Sequence, residues 1–132
     1  MKFLKIVLSV MFAVVLFGCS SKYQEPQQFN TPVTGLTKEQ VKAAILGAGT
    51  TDDATFGVWK MKVIDNNTIE GTLFNRGYEA VVSIPYSAKG YEIKYVSASD
   101  NLKDKAGHIH RNYNRWVNNL NVKIQQNIFI KK

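Results

Sequence analysis

Residues 56–97 read FGVWKMKVIDNNTIEGTLFNRGYEAVVSIPYSAKGYEIKYVS. Apolar side chains recur at every second position in this stretch and are rich in β-branched and aromatic types, which is typical of strands. Short turn sequences interrupt the alternation at 65–68, 75–77 and 87–90. The stretch therefore predicts a four-stranded antiparallel meander with strands near 56–64, 68–74, 78–86 and 91–97.

The alternation also assigns the two faces of the predicted sheet. Trp59 and Met61 point to one face of the first strand, and Lys60 and Lys62 point to the other. Lys94 of the fourth strand joins the lysine face. We expect the apolar face to be covered and the lysine face to meet water.

Helical signals flank the predicted strands on both sides. Thr37 and Gln40 have the spacing of a capping box, which predicts a short helix over 38–46. After the strands an apolar stripe follows a 3.6-residue period, formed by Ile109, Tyr113, Trp116, Val117, Leu120, Ile124 and Ile128. The sequence thus predicts a two-layer α+β fold, in which a short N-terminal helix precedes the four-stranded meander and a long C-terminal helix packs on one sheet face.

The start of the chain has a different character. Residues 1–21, MKFLKIVLSVMFAVVLFGCSS, combine a basic beginning with an apolar stretch that is short for a membrane-spanning helix. Residues 16–19, LFGC, resemble the lipobox of bacterial lipoproteins, which implies cleavage after Gly18 and lipidation of Cys19. Two alternatives stay open, namely a secretory signal with an incidental cysteine and an uncleaved N-terminal anchor.

Differences in composition along the sequence predict three segments of the chain. We expect a signal peptide over 1–18, a lipidated cysteine with a flexible polar tether over 19–35, and one α+β domain over 36–132. By resemblance to lipoproteins of enteric-type bacteria, Ser20 after the cysteine favours a lipid-anchored protein of the cell envelope on the periplasmic face of the outer membrane. The 17 basic and 10 acidic residues are a moderate excess, which does not predict a nucleic-acid partner.

Two histidines are the first candidates for chemistry. His108 and His110 could share a metal ion if they lay on a strand, but on a helix they would diverge. A third ligand would have to come from Asp100, Asp104 or elsewhere. The simpler expectation is that His110 caps or packs at the start of the helix while His108 is exposed. We predict no metal, no cofactor and no catalytic residue, because no nucleophile motif or phosphate-binding loop is present.

Basic residues are the remaining candidates for a binding site. Arg76, Lys103, Arg111 and Arg115 could meet an anionic ligand, and Arg111 and Arg115 are spaced to share one side of a helix. The alternative is a basic surface that contacts only water. Trp116 belongs to the apolar stripe, so core packing is the expectation for its ring.

A longer motif supports the envelope assignment. Residues 109–120, IHRNYNRWVNNL, together with YEIKY at 91–95 and DNL at 100–102, resemble a group of small, uncharacterised bacterial lipoproteins. The resemblance implies fold and location more than activity. Where such proteins often have Arg-x-His in the second hairpin, this chain has Arg76-Gly77-Tyr78, so no histidine chemistry is expected there.

Two functions follow as expectations. The first is a non-enzymatic envelope lipoprotein that binds a protein through its exposed sheet face or through the loop 97–107. The alternative is a binder of an anionic lipid or glycan through a basic surface.

Overall fold

A five-stranded antiparallel sheet and two helices form the domain in the computed structural model, which describes residues 22–52 and 57–131. The elements are β1 Tyr23–Gln24, β2 Phe29–Pro32, α1 Lys38–Leu46, β3 Trp59–Asp65, β4 Thr68–Asn75, β5 Tyr78–Ser87, β6 Gly90–Ala98, β7 Ile109–His110 and α2 Arg111–Lys131. The large sheet has the order β2-β6-β5-β4-β3, and β1 pairs with β7 in a separate two-stranded sheet. The mixed α+β class is therefore confirmed.

The predicted meander is present as β3 to β6, but the predicted count of four strands is wrong. The fifth strand of the sheet is β2, which pairs with β6 so that Thr31 lies opposite Tyr91. Two strands also precede α1, so the predicted order that opens with a helix is wrong as well. The four residues FNTP have no alternation of their own, and β2 depends on backbone hydrogen bonds to β6 for its strand conformation.

The segment 19–35 is not a free tether over its described part. Val33 is 5% exposed within the core, and the backbone N–H of Gln27 donates to Oδ1 of Asn114 at 2.8 Å. The amide of Asn114 donates in turn to the carbonyl oxygen of Glu25 at 3.0 Å. The chain is thus bound to the domain from its first described residues. The predicted signal peptide and Cys19 lie outside the described residues.

α1 begins at the predicted capping box. The Thr37 hydroxyl accepts the N–H of Gln40 at 3.2 Å, and the Gln40 side chain accepts the N–H of Thr37 at 2.9 Å. Its buried face, Val41, Ala44 and Ile45, contributes to the core that β5 and α2 also line. The reciprocal cap satisfies two helix N–H groups that would otherwise lack acceptors.

α2 packs on the sheet through most of the predicted stripe. Tyr113, Val117, Leu120, Ile124 and Ile128 are buried in one core with the inward side chains of β3 to β6. Over residues 22–52 and 57–131, no helix has both the length and the apolar character needed to cross a membrane.

One polar link joins the two layers inside this core. The Tyr91 hydroxyl of β6 donates to Oδ1 of the buried Asn121 at 2.5 Å. Burial raises the pKa of Tyr91, and its hydrogen bond with Thr31 acts in the opposite direction. The Thr31 hydroxyl of β2 donates to the same oxygen at 3.4 Å, so Asn121 connects α2 to both β6 and β2.

Candidate functional site

A cleft of about 530 Å³ lies between the β4–β5 turn and the first turns of α2. Its lining consists of Asn75, Arg76, Tyr78, Asn112, Arg115 and Trp116. Two of the predicted binding residues, Arg76 and Arg115, are distant in sequence and meet here. The fold therefore creates a basic site that neither element contains alone.

Arg76 occupies an unusual backbone position. Asn75 and Tyr78 pair across the ladder, so Arg76 and Gly77 form a two-residue turn with φ values of 52° and 82°. A hairpin turn with two left-handed residues favours Asn-Gly or Gly-Gly. Among the described residues Arg76 is the only non-glycine with a positive φ. The position of its side chain at the cleft thus comes with an unfavourable backbone conformation.

Neighbouring side chains hold this turn in place. Asn101 donates from its amide to the carbonyl oxygen of Gly77 at 3.0 Å, and the Ser99 hydroxyl donates to Oδ1 of Asn101 at 2.5 Å. The same Ser99 hydroxyl accepts the backbone N–H of Glu79 at 3.0 Å. These bonds connect the β4–β5 turn to the short 3₁₀ helix Asp100–Leu102 after β6, and they hold the backbone beside Arg76 in place.

The other wall of the cleft is the start of α2. Nδ1 of His110 accepts the N–H of Asn112 at 3.0 Å, which confirms the prediction that His110 caps the helix. Burial lowers the pKa of His110, and the charges of Lys22, Arg111 and Arg115 lower it further. The imidazole is therefore held neutral, as the acceptor role requires.

The charge of the cleft is positive and unopposed. Within the described part of the chain, the guanidinium groups of Arg76 and Arg115 have neither a hydrogen-bond nor an ion-pair partner, and no acidic residue belongs to the lining. The rings of Tyr78 and Trp116 lie 6.2 Å apart, between centroids, at a tilt of 54°. The cleft thus offers two cations, two amides and two aromatic rings to a ligand.

Trp116 differs from its predicted place in the core. Its ring is half-buried, and besides the basic cleft it lines a second cleft of about 230 Å³ that includes Val58, Leu73 and Leu120. The indole therefore packs against the core on one side and borders both clefts. Trp116 is therefore a shared wall of two neighbouring clefts.

Of the residues considered for a metal site, His108 and Asp104 come together, but they do not form a metal-binding group with any other described residue. His108 lies 3.2 Å from Oδ2 of Asp104 and 3.5 Å from Oε1 of Glu25. Burial acts to raise the pKa of Asp104, but hydrogen bonds from the backbone and ring of His108 outweigh it and lower the pKa. In residues 22–52 and 57–131, no three His, Cys, Asp or Glu side chains are grouped so that they could hold a metal ion.

The remaining basic candidates lie away from the cleft lining. Lys103 pairs with Asp100 at 3.6 Å, and Arg111 donates its backbone N–H to the carbonyl oxygen of Lys22 at 2.8 Å. Sequence reasoning did not assign Tyr78 or Asn112 to a site. Tyr78 could have been assigned to the site from the turn sequence, because the residue that follows a two-residue turn lies beside that turn.

Comparisons with family models, with curated proteins and with solved structures found no match for this chain. The site is therefore interpreted from its own geometry.

Proposed function

We propose that this protein is a non-enzymatic, membrane-anchored lipoprotein of the cell envelope that binds an anionic ligand in the cleft between Arg76 and Arg115. The proposed anchor is a lipid on Cys19, and the proposed location is the periplasmic face of the outer membrane. The anchor follows from the resemblance of residues 16–19 to a lipobox, and the location follows from Ser20 after the cysteine. The observation that carries the ligand proposal is the convergence of two unpaired guanidinium groups on one cleft.

The chemistry of the lining selects the ligand class. A guanidinium group can bind carboxylate or phosphate through two parallel hydrogen bonds, and such charge-assisted bonds are stronger than neutral ones. The rings of Tyr78 and Trp116 provide surfaces for a sugar ring or an acyl group. An acidic glycan or an anionic lipid fits this combination. Within the described lining no imidazole, carboxylate or thiol is available for acid–base or nucleophilic chemistry, so binding is the proposed role.

The test uses soluble anionic probes and follows the tryptophan fluorescence, to which Trp116 at the cleft and Trp59 in the core both contribute. Short-chain phosphatidylglycerol and a glucuronate oligosaccharide represent the two ligand sources, and short-chain phosphatidylcholine is the uncharged-headgroup control. We expect Arg76→Gln and Arg115→Gln each to weaken binding by about 10-fold or more, because each removes a charge-assisted hydrogen bond worth about 1.5–3 kcal/mol. Binding should also weaken as salt is added.

Lys62→Gln is the matched control, because it removes one positive charge from an exposed position on β3. Equal affinity in all three variants would reject the cleft as the binding site. Absence of binding to both anionic probes would reject the anionic ligand class.

A second function is favoured by the open edge of β3. Among the described residues only Thr50 bridges this edge, through bonds to the backbone of Trp59 and Met61. Beyond Met61, Val63 and Ile64 are 45% and 49% exposed. An edge strand with exposed apolar side chains can accept a strand from a protein partner. A photo-crosslinking probe at Val63 that captures one dominant protein in cells would favour this function.

A further inference from the structure

The outer side of α2 carries an exposed apolar cluster near its C-terminal end. Val122, Phe129 and Ile130 have exposed fractions of 42%, 80% and 79%. Their positions on the helix turn them away from the buried stripe that packs on the sheet. Two large apolar side chains are thus almost fully exposed to water on neighbouring positions of one helix.

The helix that bears this apolar cluster is entirely basic in its charge. α2 contains four basic residues, Arg111, Arg115, Lys123 and Lys131, and no acidic one. No acidic residue follows Asp104 anywhere in the sequence. The apolar cluster therefore lies in a positive field, which attracts an anionic surface and repels a basic one.

The start of the described chain, at Lys22, lies beside the first turn of α2 and is close in sequence to the proposed anchor at Cys19. The carbonyl oxygen of Lys22 accepts the backbone N–H of Arg111, the first residue of α2, at 2.8 Å. Cys19 is three residues before Lys22, a separation that an extended chain spans in at most about 11 Å. A lipid on Cys19 would therefore hold the first turn of α2 close to the bilayer.

Helix periodicity then relates the two ends of α2. Arg111 and Phe129 are eighteen residues apart, which corresponds to five turns, so both point to the same side of the helix. A bilayer that meets the first turn at Arg111 can meet the apolar cluster when the helix, about 30 Å long, lies along the surface. The charge of α2, the helix periodicity and the position of the preceding chain therefore all indicate the exposed side of α2 that carries Arg111 and Phe129.

We infer that α2 lies along an anionic lipid bilayer, with Phe129 and Ile130 inserted into the interface and the exposed side chains of Arg111 and Lys123 at the level of the headgroup phosphates. Amphipathic helices of this composition bind membranes in this way. A second copy of the chain is a poorer occupant, because a specific protein interface needs about 800 Å² per partner, far more than three side chains of one helix supply. The inference rests on the proposed anchor at Cys19 and is separate from ligand binding in the cleft.

The test places a tryptophan in the apolar cluster of the full chain. Phe129→Trp and the control Lys94→Trp, on the exposed face of the sheet, are reconstituted into vesicles with brominated acyl chains, which quench indoles at the interface. The vesicles contain phosphatidylcholine alone or with phosphatidylglycerol. The signal of the parent chain, which already has Trp59 and Trp116, is subtracted. We expect bromine to quench the indole at position 129 about twofold and the indole at position 94 hardly at all.

Attachment and docking are read separately. Flotation with vesicles of phosphatidylcholine alone, which do not attract the basic helix by charge, reports the anchor, and the difference in quenching between positions 129 and 94 reports docking. Stronger quenching at 129 that increases with phosphatidylglycerol supports the inference. Flotation with equal quenching at the two positions overturns docking and leaves the anchor standing, whereas failure to float overturns both. If quenching at position 129 does not change when phosphatidylglycerol is added, the inference that the helix prefers an anionic bilayer is rejected.

Discussion

Arg76 combines a side chain that lines the proposed binding cleft with an unfavourable backbone conformation. Its φ of 52° lies in the region that glycine and asparagine tolerate, and Gly77 beside it has a φ of 82°. A chain under selection for stability alone would place asparagine there, as the preference of such turns shows. We therefore propose that the arginine is kept at this position for ligand binding in the cleft, not for stability.

This explanation predicts opposite effects on stability and on binding. We expect Arg76→Asn to raise the free energy of unfolding by about 0.5–1 kcal/mol, because asparagine relieves the backbone conformation. The same substitution should remove the anionic ligand's contact at this wall. Urea denaturation and probe titration on one preparation measure both effects. A variant that is less stable than the parent would show that the arginine is there for its packing.

At the scale of the element, the start of α2 depends on one histidine. Nδ1 of His110 accepts the N–H of Asn112, and the ring packs edge-on against Tyr23 of β1 at 5.5 Å between centroids. The helix cap, β7 and β1 therefore share a residue. Protonation of the imidazole would replace the acceptor with a donor and break the cap.

We expect His110→Ala to cost about 1 kcal/mol and His110→Asn to retain most of that stability, since asparagine is a favourable N-cap. The pKa of His110 is lowered in the folded state, so the neutral imidazole contributes stability above its ordinary pKa near 6.5. That contribution is lost as the pH falls through the lowered folded value. Urea denaturation at several pH values between about 4 and 7.5 measures the free energy of unfolding. We expect it to fall toward acid pH in the parent chain and to fall less in His110→Asn. An identical pH profile in parent and variant would contradict the role of the cap.

The elements that could be predicted from the sequence are those with a signal in their own residues. Thr37 and Gln40 specify the start of α1, and alternation specifies β3 to β6. β2 has no such signal, because its strand conformation depends on pairing with β6. Arg76 and Arg115 could be identified as basic residues, but so could Lys103. Only the packing of α2 beside the β4–β5 turn separates them.

At the scale of the whole molecule, the core contains a polar atom that lacks a partner. The side chain of Tyr113 is completely buried, and its hydroxyl makes no hydrogen bond within the described part of the chain. Its ring packs edge-on against Tyr95 at 5.5 Å between centroids. Burial strongly raises the pKa of Tyr113, with a smaller contribution from Tyr95.

We expect Tyr113→Phe to keep or raise the stability of the domain by up to about 1 kcal/mol at neutral pH, because it removes a buried hydroxyl without a partner. The raised pKa also links this residue to alkaline unfolding. Below the ordinary tyrosine pKa near 10, Tyr113 is protonated in both the folded and the unfolded chain, and ionisation costs no stability. As the pH rises from there toward the higher folded value, the unfolded chain ionises first and the free energy of unfolding falls. Urea denaturation at pH 7 and near pH 11 should show a smaller alkaline loss in the variant. A large loss of stability at neutral pH would contradict this account.

The pairing of β2 with β6 has a consequence for how the chain reaches its fold. Thr31 and Asn121, which meet through their side chains, are 90 residues apart, whereas the strands of the meander are joined by short turns. Closing a long loop loses entropy before its contacts form, so local pairings form early and distant ones late. The meander can therefore form before residues 23–33 pair with β6 and β7. We therefore expect residues 23–33, which are synthesised before the rest of the domain, to be among the last to fold.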